Sequence, residues 1–91
     1  DVSDWTPCEL CGAIGTDVHH IEARGMGGTT QPDRIENLIA LCRRHHEKYG
    51  DRKQYKSFLF STHRNTLRNQ GIDFDKEWIN NKVNQYLNEE A

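Results

Sequence analysis

Two short knuckles, separated by about thirty residues, constrain this chain more than any other feature. Cys8 and Cys11 stand as C-x-x-C, and Cys42 and His45 as C-x-x-H. Tetrahedral zinc takes four soft or borderline ligands, and two closely spaced pairs supply them. Residues three apart share one face where a strand turns into a helix, so Cys42 and His45 can reach the same ion. All three cysteines of the chain take part and none is left over. The segment between the knuckles must then fold back as a closed unit.

Such a staple answers a shortage. Of the 91 residues, 34% are hydrophobic and 29% are charged, a thin supply for the core of so small a domain. Zinc binding contributes folding energy that apolar burial here cannot. Three cysteines cannot pair off completely, and the sequence shows no signal peptide and no long apolar run. Thiolate coordination in the cytoplasm is therefore expected, with no disulfides and no membrane span.

The formal charge of −2 conceals a division along the chain. Residues 1–22 carry five acids and no lysine or arginine, whereas residues 43–70 carry eight basic groups against two acids. A local basic stretch matters more to a phosphate backbone than the total does. Most of these side chains nevertheless read as a solvated helix face.

The elements follow from patterning. "CELCG" is a tight knuckle, with Gly12 and Gly15 permitting turns. "TDVHHIEA" alternates as a short strand, and "RGMGGTTQPDR" is a loop by its three glycines and Pro32. "NLIALC" is a second strand running into a helix at "RRHHEKYG", which Gly50 can end. Tyr55, Phe58, Leu59, Thr62 and Thr66 keep helical spacing, which predicts an amphipathic helix over 52–69 stopped by Gly71. Asp73 or Asp75 can cap a last helix whose stripe is Trp78, Ile79, Val83, Tyr86 and Leu87. The expected class is α+β in a single domain over 1–91. Residues 8–50 form its zinc-stapled core and 51–91 a helical buttress.

Four of the five histidines stand as two adjacent pairs, His19–His20 and His45–His46. One helical step rotates a side chain by about 100°. If His45 faces the zinc, His46 points across the domain toward the first strand, where neighbouring side chains leave on opposite sides. His46 and one histidine of the first pair could hold a second ion, leaving the other beside it as a base. A phosphodiester between them would meet a Lewis acid on one side and a proton acceptor on the other. The remaining histidine, His63, reads as an ordinary core or surface side chain.

Together "CELC", "DVHHI", "NLIALC" and "CRRHH" resemble the His-Asn-His (HNH) endonucleases of the ββα-metal fold, many of which come from phages or mobile elements. The resemblance covers residues 8 to about 50. It implies that His20 is the general base, that His19 and His46 hold a catalytic divalent ion, and that Asn37 braces the loop that orients His20. It further implies a structural zinc on Cys8, Cys11, Cys42 and His45, DNA as substrate, and 5′-phosphate and 3′-hydroxyl products. An imidazole, with an ordinary pKa of about 6.5, suits base work near neutral pH.

Two positions depart from the family pattern. His19 stands where most relatives have aspartate, and the His-His pair is more similar to that of the colicin nuclease domains. An imidazole there should move metal preference from magnesium toward manganese, nickel, cobalt or zinc. The colicin domains add a further histidine where this chain has Gly50, so two protein ligands are expected for the catalytic ion. The second knuckle ends in His45 where the family's usual residue is cysteine, a change that zinc tolerates.

Arg43, Arg44 and Lys48 on the knuckle helix, and Arg24 in the glycine-rich loop, are candidate phosphate contacts. Such contacts position a duplex without reading its bases, so the expectation is weak specificity, or specificity borrowed from another domain or partner. The competing expectation is a non-catalytic zinc-stapled nucleic-acid-binding module, which gives no use to His19, His20 and His46 together.

Overall fold

The computed structural model describes residues 7–14, 16–23, 33–50 and 52–90. The protein is α+β, with one two-stranded sheet and three α-helices among the described residues. Strand β1 (Asp17–His20) pairs antiparallel with β2 (Leu38–Leu41), placing His19 opposite Ile39 and His20 opposite Leu38. Helix α1 (Arg43–Tyr49) leaves β2 at once, and α2 (Lys56–Asn69) and α3 (Lys76–Glu90) pack on each other behind the sheet. Short 3-10 turns at Ile35–Asn37 and Lys53–Tyr55 lead into β2 and α2. Among the described residues, no helix is long and apolar enough to cross a membrane.

The first knuckle is built by its backbone. The Gly12 amide donates to the Cys8 carbonyl and the Cys8 amide to the Ala13 carbonyl, both at 2.8 Å. Gly12 has φ of 80°, in the left-handed region that glycine occupies at little cost. The knuckle also covers the outer edge of β2. The Glu9 amide donates to the Ala40 carbonyl at 2.9 Å, and the Ala40 amide returns a bond to the Glu9 carboxylate at 3.1 Å. The same carboxylate meets His63 Nδ1 at 2.9 Å, while His63 Nε2 meets the Ile35 carbonyl at 2.7 Å. His63 is thus a buried bridge from α2 to the knuckle and to the turn before β2.

Ile21, Ile39, Leu41, Leu59, Phe60, Ile79, Val83 and Tyr86 form the core. Burying each large apolar side chain contributes about 1.5–3 kcal/mol before the cost of ordering it. The buried face of α2 differs from the expected one. Leu59 is buried as expected, but Phe58 is 47% exposed, and Phe60, His63 and Leu67 point inward beside Leu59. On α3, Leu87 is exposed and Lys82 is buried. Spacing does not see the polar bonds described below, which help to set the face each helix buries.

Helix ends fall close to their sequence signals. Gly71 has φ of 69°; its amide bonds the Arg68 carbonyl at 3.1 Å, and the Ile72 amide bonds the Leu67 carbonyl at 3.0 Å. This is the Schellman closure of α2. Gly50 does not work that way, because it keeps a right-handed φ of −54°. A Cβ there would collide with the His46 carbonyl oxygen and lie 2.6 Å from the imidazole Cδ2. Glycine is required at this position by the close approach of His46.

Of the two candidate caps, Asp75 is the one used: its Oδ1 accepts from the Trp78 amide at 3.0 Å. Glu36 ties this cap to the turn before β2, accepting from the Asp75 amide at 2.6 Å and from Arg34 Nε at 2.9 Å. Arg34 also lies 4.3 Å over the Trp78 ring. Burial pushes the Glu36 carboxyl up, but the Asp75 amide and the Arg34 guanidinium outweigh it and hold the group below the ordinary range.

A carboxyl lowered by folding stabilises fully above its unfolded value of about 4.3 and loses that contribution as pH falls through its folded value. Denaturant titrations of the protein and Glu36→Gln should therefore differ most at pH 6. The two curves should converge as pH drops below about 4.

Candidate active site and metal centre

The sequence brings two metal-ligand pairs to the corner where β2 becomes α1. Cys42 is the residue before the first turn of α1, in extended conformation, and its sulfur caps no amide of that turn. It turns instead to the first knuckle. Cys8, Cys11, Cys42 and His45 have ligand atoms all within 4.8 Å of one another. Cys11 Sγ lies 3.8 Å from Cys42 Sγ, and His45 Nδ1 lies 3.5 Å from Cys8 Sγ and 3.3 Å from Cys42 Sγ. Sulfur at about 2.3 Å and nitrogen at about 2.0–2.1 Å from one zinc stand about 3.8 Å (S–S) and about 3.6 Å (S–N) apart in a tetrahedron. Those three of the quartet's six edges lie within about 0.3 Å of these lengths and all six are within 4.8 Å, so it could hold a structural zinc.

Its electrostatics agree. Burial pushes the Cys8 thiol up, but the amides of Cys42, Leu10 and Cys11, with His45, outweigh that and bring it down to about 6. Cys11, though exposed, moves the other way: the Ala13 amide favours its thiolate, yet local desolvation and the Cys8 and Cys42 sulfurs push it up. Adjacent thiolates of this kind are satisfied together only by a cation between them. Tyr49 stacks on the His45 ring at 5.9 Å and holds its plane.

His46, one step further along α1, faces away from this quartet. Its ring centroid is 4.7 Å from that of His19, which is buried on β1 and holds its Nε2 2.6 Å from the Gly50 carbonyl. His20 leaves β1 on the opposite side, 43% exposed, with Nε2 2.8 Å from Asp33 Oδ1. An open cleft of about 520 Å³ lies against His46 and is lined by Asp17, Arg43, Glu47 and Arg52.

The chain just after His20 is gripped from several sides. Asn37, fully buried, accepts from the Glu22 amide at 2.8 Å and donates to the Glu22 carbonyl at 2.9 Å. Lys56 donates to the Ile21 carbonyl at 2.5 Å. The Glu22 carboxylate, also fully buried, meets Lys82 Nζ at 3.1 Å and accepts from the Tyr86 hydroxyl. Burial, together with the Glu22 charge, pushes the Tyr86 hydroxyl above its ordinary range, so it stays a donor. The arrangement joins an imidazole pair beside an open cleft to a thiolate-rich quartet at the start of the same helix. Against that geometry, the family model for HNH endonuclease matches residues 8–52.

Residues 8–52 are an HNH endonuclease domain. No curated protein and no solved structure matches the chain. The HNH family is one of nucleases that act on DNA, and a nucleic-acid-related function follows for this domain at that level.

Each expected site residue except Arg24 lies among the described residues. The four residues of the knuckle pairs come together, and so do the rings of His19 and His46. Among the described residues, the knuckle quartet is the only group of three or more such donors within 4.8 Å, so the histidine pair is a looser assembly. Arg43 lines the cleft, whereas Arg44 and Lys48 are exposed on α1, with Lys48 Nζ 5.3 Å over the Tyr49 ring. Arg24 and most of the glycine-rich loop lie outside the described residues. Lys56 leaves the basic surface altogether, because it is buried on the Ile21 carbonyl.

Sequence reasoning missed Asp33, Arg52 and Asp17. Asp17 had a readable signal, standing two residues before His19 on the same strand face. Asp33 and Arg52 had none, since each reaches the site from outside a regular element.

Chelation tests the quartet directly. Removing metal with a strong chelator should abolish cooperative thermal unfolding and most helical circular dichroism, and added zinc should restore both. Structural zinc contributes on the order of 10 kcal/mol in small domains, comparable with their whole stability. A chain that keeps its melting transition after complete demetallation would leave the quartet without a structural role.

Proposed function

We propose that this HNH domain is a metal-dependent DNA endonuclease in which His20 is the general base and His19 and His46 hold a divalent ion. The supporting observation is the contact of the His19 and His46 rings, with His20 presented on the other side of the same strand and hydrogen-bonded to Asp33. When bound, the ion supplies Lewis-acid stabilisation of charge on the scissile phosphate and the departing oxygen. Manganese, nickel, cobalt, magnesium and zinc are the candidates, and the imidazole ligands favour the softer members.

The protein's own groups do the rest. A donor bond from His20 Nε2 to the Asp33 carboxylate fixes the ring's tautomer and turns Nδ1 toward the attacking water. That nitrogen takes the water proton as the new P–O bond forms. The P–O3′ bond breaks on the opposite side, and the departing oxygen takes a proton from solvent water, giving a 5′-phosphate and a 3′-hydroxyl. Asn37 acts as a positioning residue, because its clamp on Glu22 fixes the backbone two residues beyond His20. Arg43 and Arg52, beside His46 in the cleft, anchor phosphates, and Arg44 and Lys48 extend that surface along α1. None of these contacts reads a base edge, so a further domain or protein partner would supply sequence specificity.

Supercoiled plasmid incubated with the zinc-loaded protein and manganese or nickel is the direct assay. Wild type should nick, and His20→Ala should be slower by about 10²–10⁴-fold while binding the second ion as tightly. Equal nicking by the two proteins would remove His20 from the chemistry. No nicking by either would leave the zinc-stapled binding module as the better reading.

A further inference from the structure

Resting on that reading of the second metal site, we infer that Asp17 supplies its third protein ligand, from the strand. Asp17 and His19 are two residues apart on β1, opposite Leu41 and Ile39, and so leave the same face of the sheet. His46 rises to that face from α1, and its ring adjoins that of His19. The Asp17 Oδ2 lies 3.5 Å from His46 Nδ1. That separation exceeds the upper limit of about 3.2 Å for an ordinary N–H···O bond. It fits the edge between a carboxylate oxygen and an imidazole nitrogen sharing one ion, which is about 3.4 Å when each bond is about 2.1 Å.

The other approach to this ion is closed. A ligand one helical turn after His46 would have to come from position 50, where any Cβ collides with His46 itself. Gly50 contributes only its carbonyl, which meets His19 Nε2 and makes Nδ1 the atom that ring would present to a cation. Asp17 is half exposed at the cleft, and binding one ion would draw the three side chains together, since among the described residues only the knuckle quartet already has its donors within 4.8 Å. The result is two imidazoles and one carboxylate on one side of the ion. The remaining positions face the cleft and its arginines, where water and a phosphate oxygen can enter.

A hard oxygen ligand matters most to a hard ion. This gives a readout that neither folding nor indirect orientation of His46 would produce. Manganese and nickel affinities are measured by calorimetry on the zinc-loaded full chain, for wild type, Asp17→Ala, Asp17→Asn and His46→Ala. Zinc content and circular dichroism serve as checks on folding. Asp17→Ala should weaken manganese binding by more than about tenfold, no less than losing an outer-shell partner costs. It should weaken nickel binding by clearly less, and Asp17→Asn should fall between wild type and Asp17→Ala.

Unchanged manganese affinity in Asp17→Ala, beside a wild type that binds the ion and a His46→Ala that loses it, would overturn this assignment alone. Equal losses for manganese and nickel would also overturn it, because they would make Asp17 an orienting partner of His46. A wild type that binds no second ion would remove both this assignment and the active-site reading beneath it.

Discussion

The rotational setting of α1 governs the rest of the domain, and the knuckle quartet determines it. Cys42 and His45 must both face Cys8 and Cys11, which leaves the helix no freedom about its axis. One residue further, a turn of about 100° then commits His46 to the side of β1 that carries His19. Two metal functions are thus separated by a single helical step and cannot drift relative to each other. Adjacent histidines on a helix of only seven residues would be a poor basis for such a division without the quartet to anchor one of them.

The second constraint is polar. A chain with few apolar residues has buried Glu22, Lys56, His63 and Lys82, all of which are costly to desolvate. Their bonds are directed at particular backbone sites. Lys56 and Asn37 hold the carbonyls of Ile21 and Glu22, Lys82 and Tyr86 hold the Glu22 side chain, and His63 holds Glu9 and Ile35. Apolar residues of similar volume could fill the same space, but they would not fix the register of the segment leaving β1. The helical layer therefore supplies alignment to the histidine strand as well as bulk.

The parts of this arrangement legible in the sequence are those set by short spacing. C-x-x-C and C-x-x-H determine the quartet, strand alternation parts His19 from His20, and the helical step parts His45 from His46. Asp75 was one of two caps that the pattern allowed, and Glu36 selects it by binding its amide. What stayed hidden depends on partners far apart in the chain. Nothing near Glu22 announces Lys82 or Tyr86, and His63 looks like an isolated histidine until Glu9 is placed against it. The same long-range bonds help to decide why Phe60 and Lys82, and not Phe58 and Leu87, turn inward. Asp33, which meets His20 from an irregular segment, carries no periodic signal at all.

The bridge from His63 to Glu9 bears on what can be cut away. Glu9 closes the outer edge of β2 with the very carboxylate that His63 engages. A fragment ending after the family-matched segment would strip that carboxylate of its imidazole, uncover Ile21 and Leu41, and remove the Lys56 bond to Ile21 and the Lys82 and Tyr86 bonds to the Glu22 carboxylate. The nuclease motif in this chain is consequently not a detachable cassette. Any graft of it onto another scaffold would have to bring a surrogate for α2 and α3, with cationic and hydroxyl donors at matching heights.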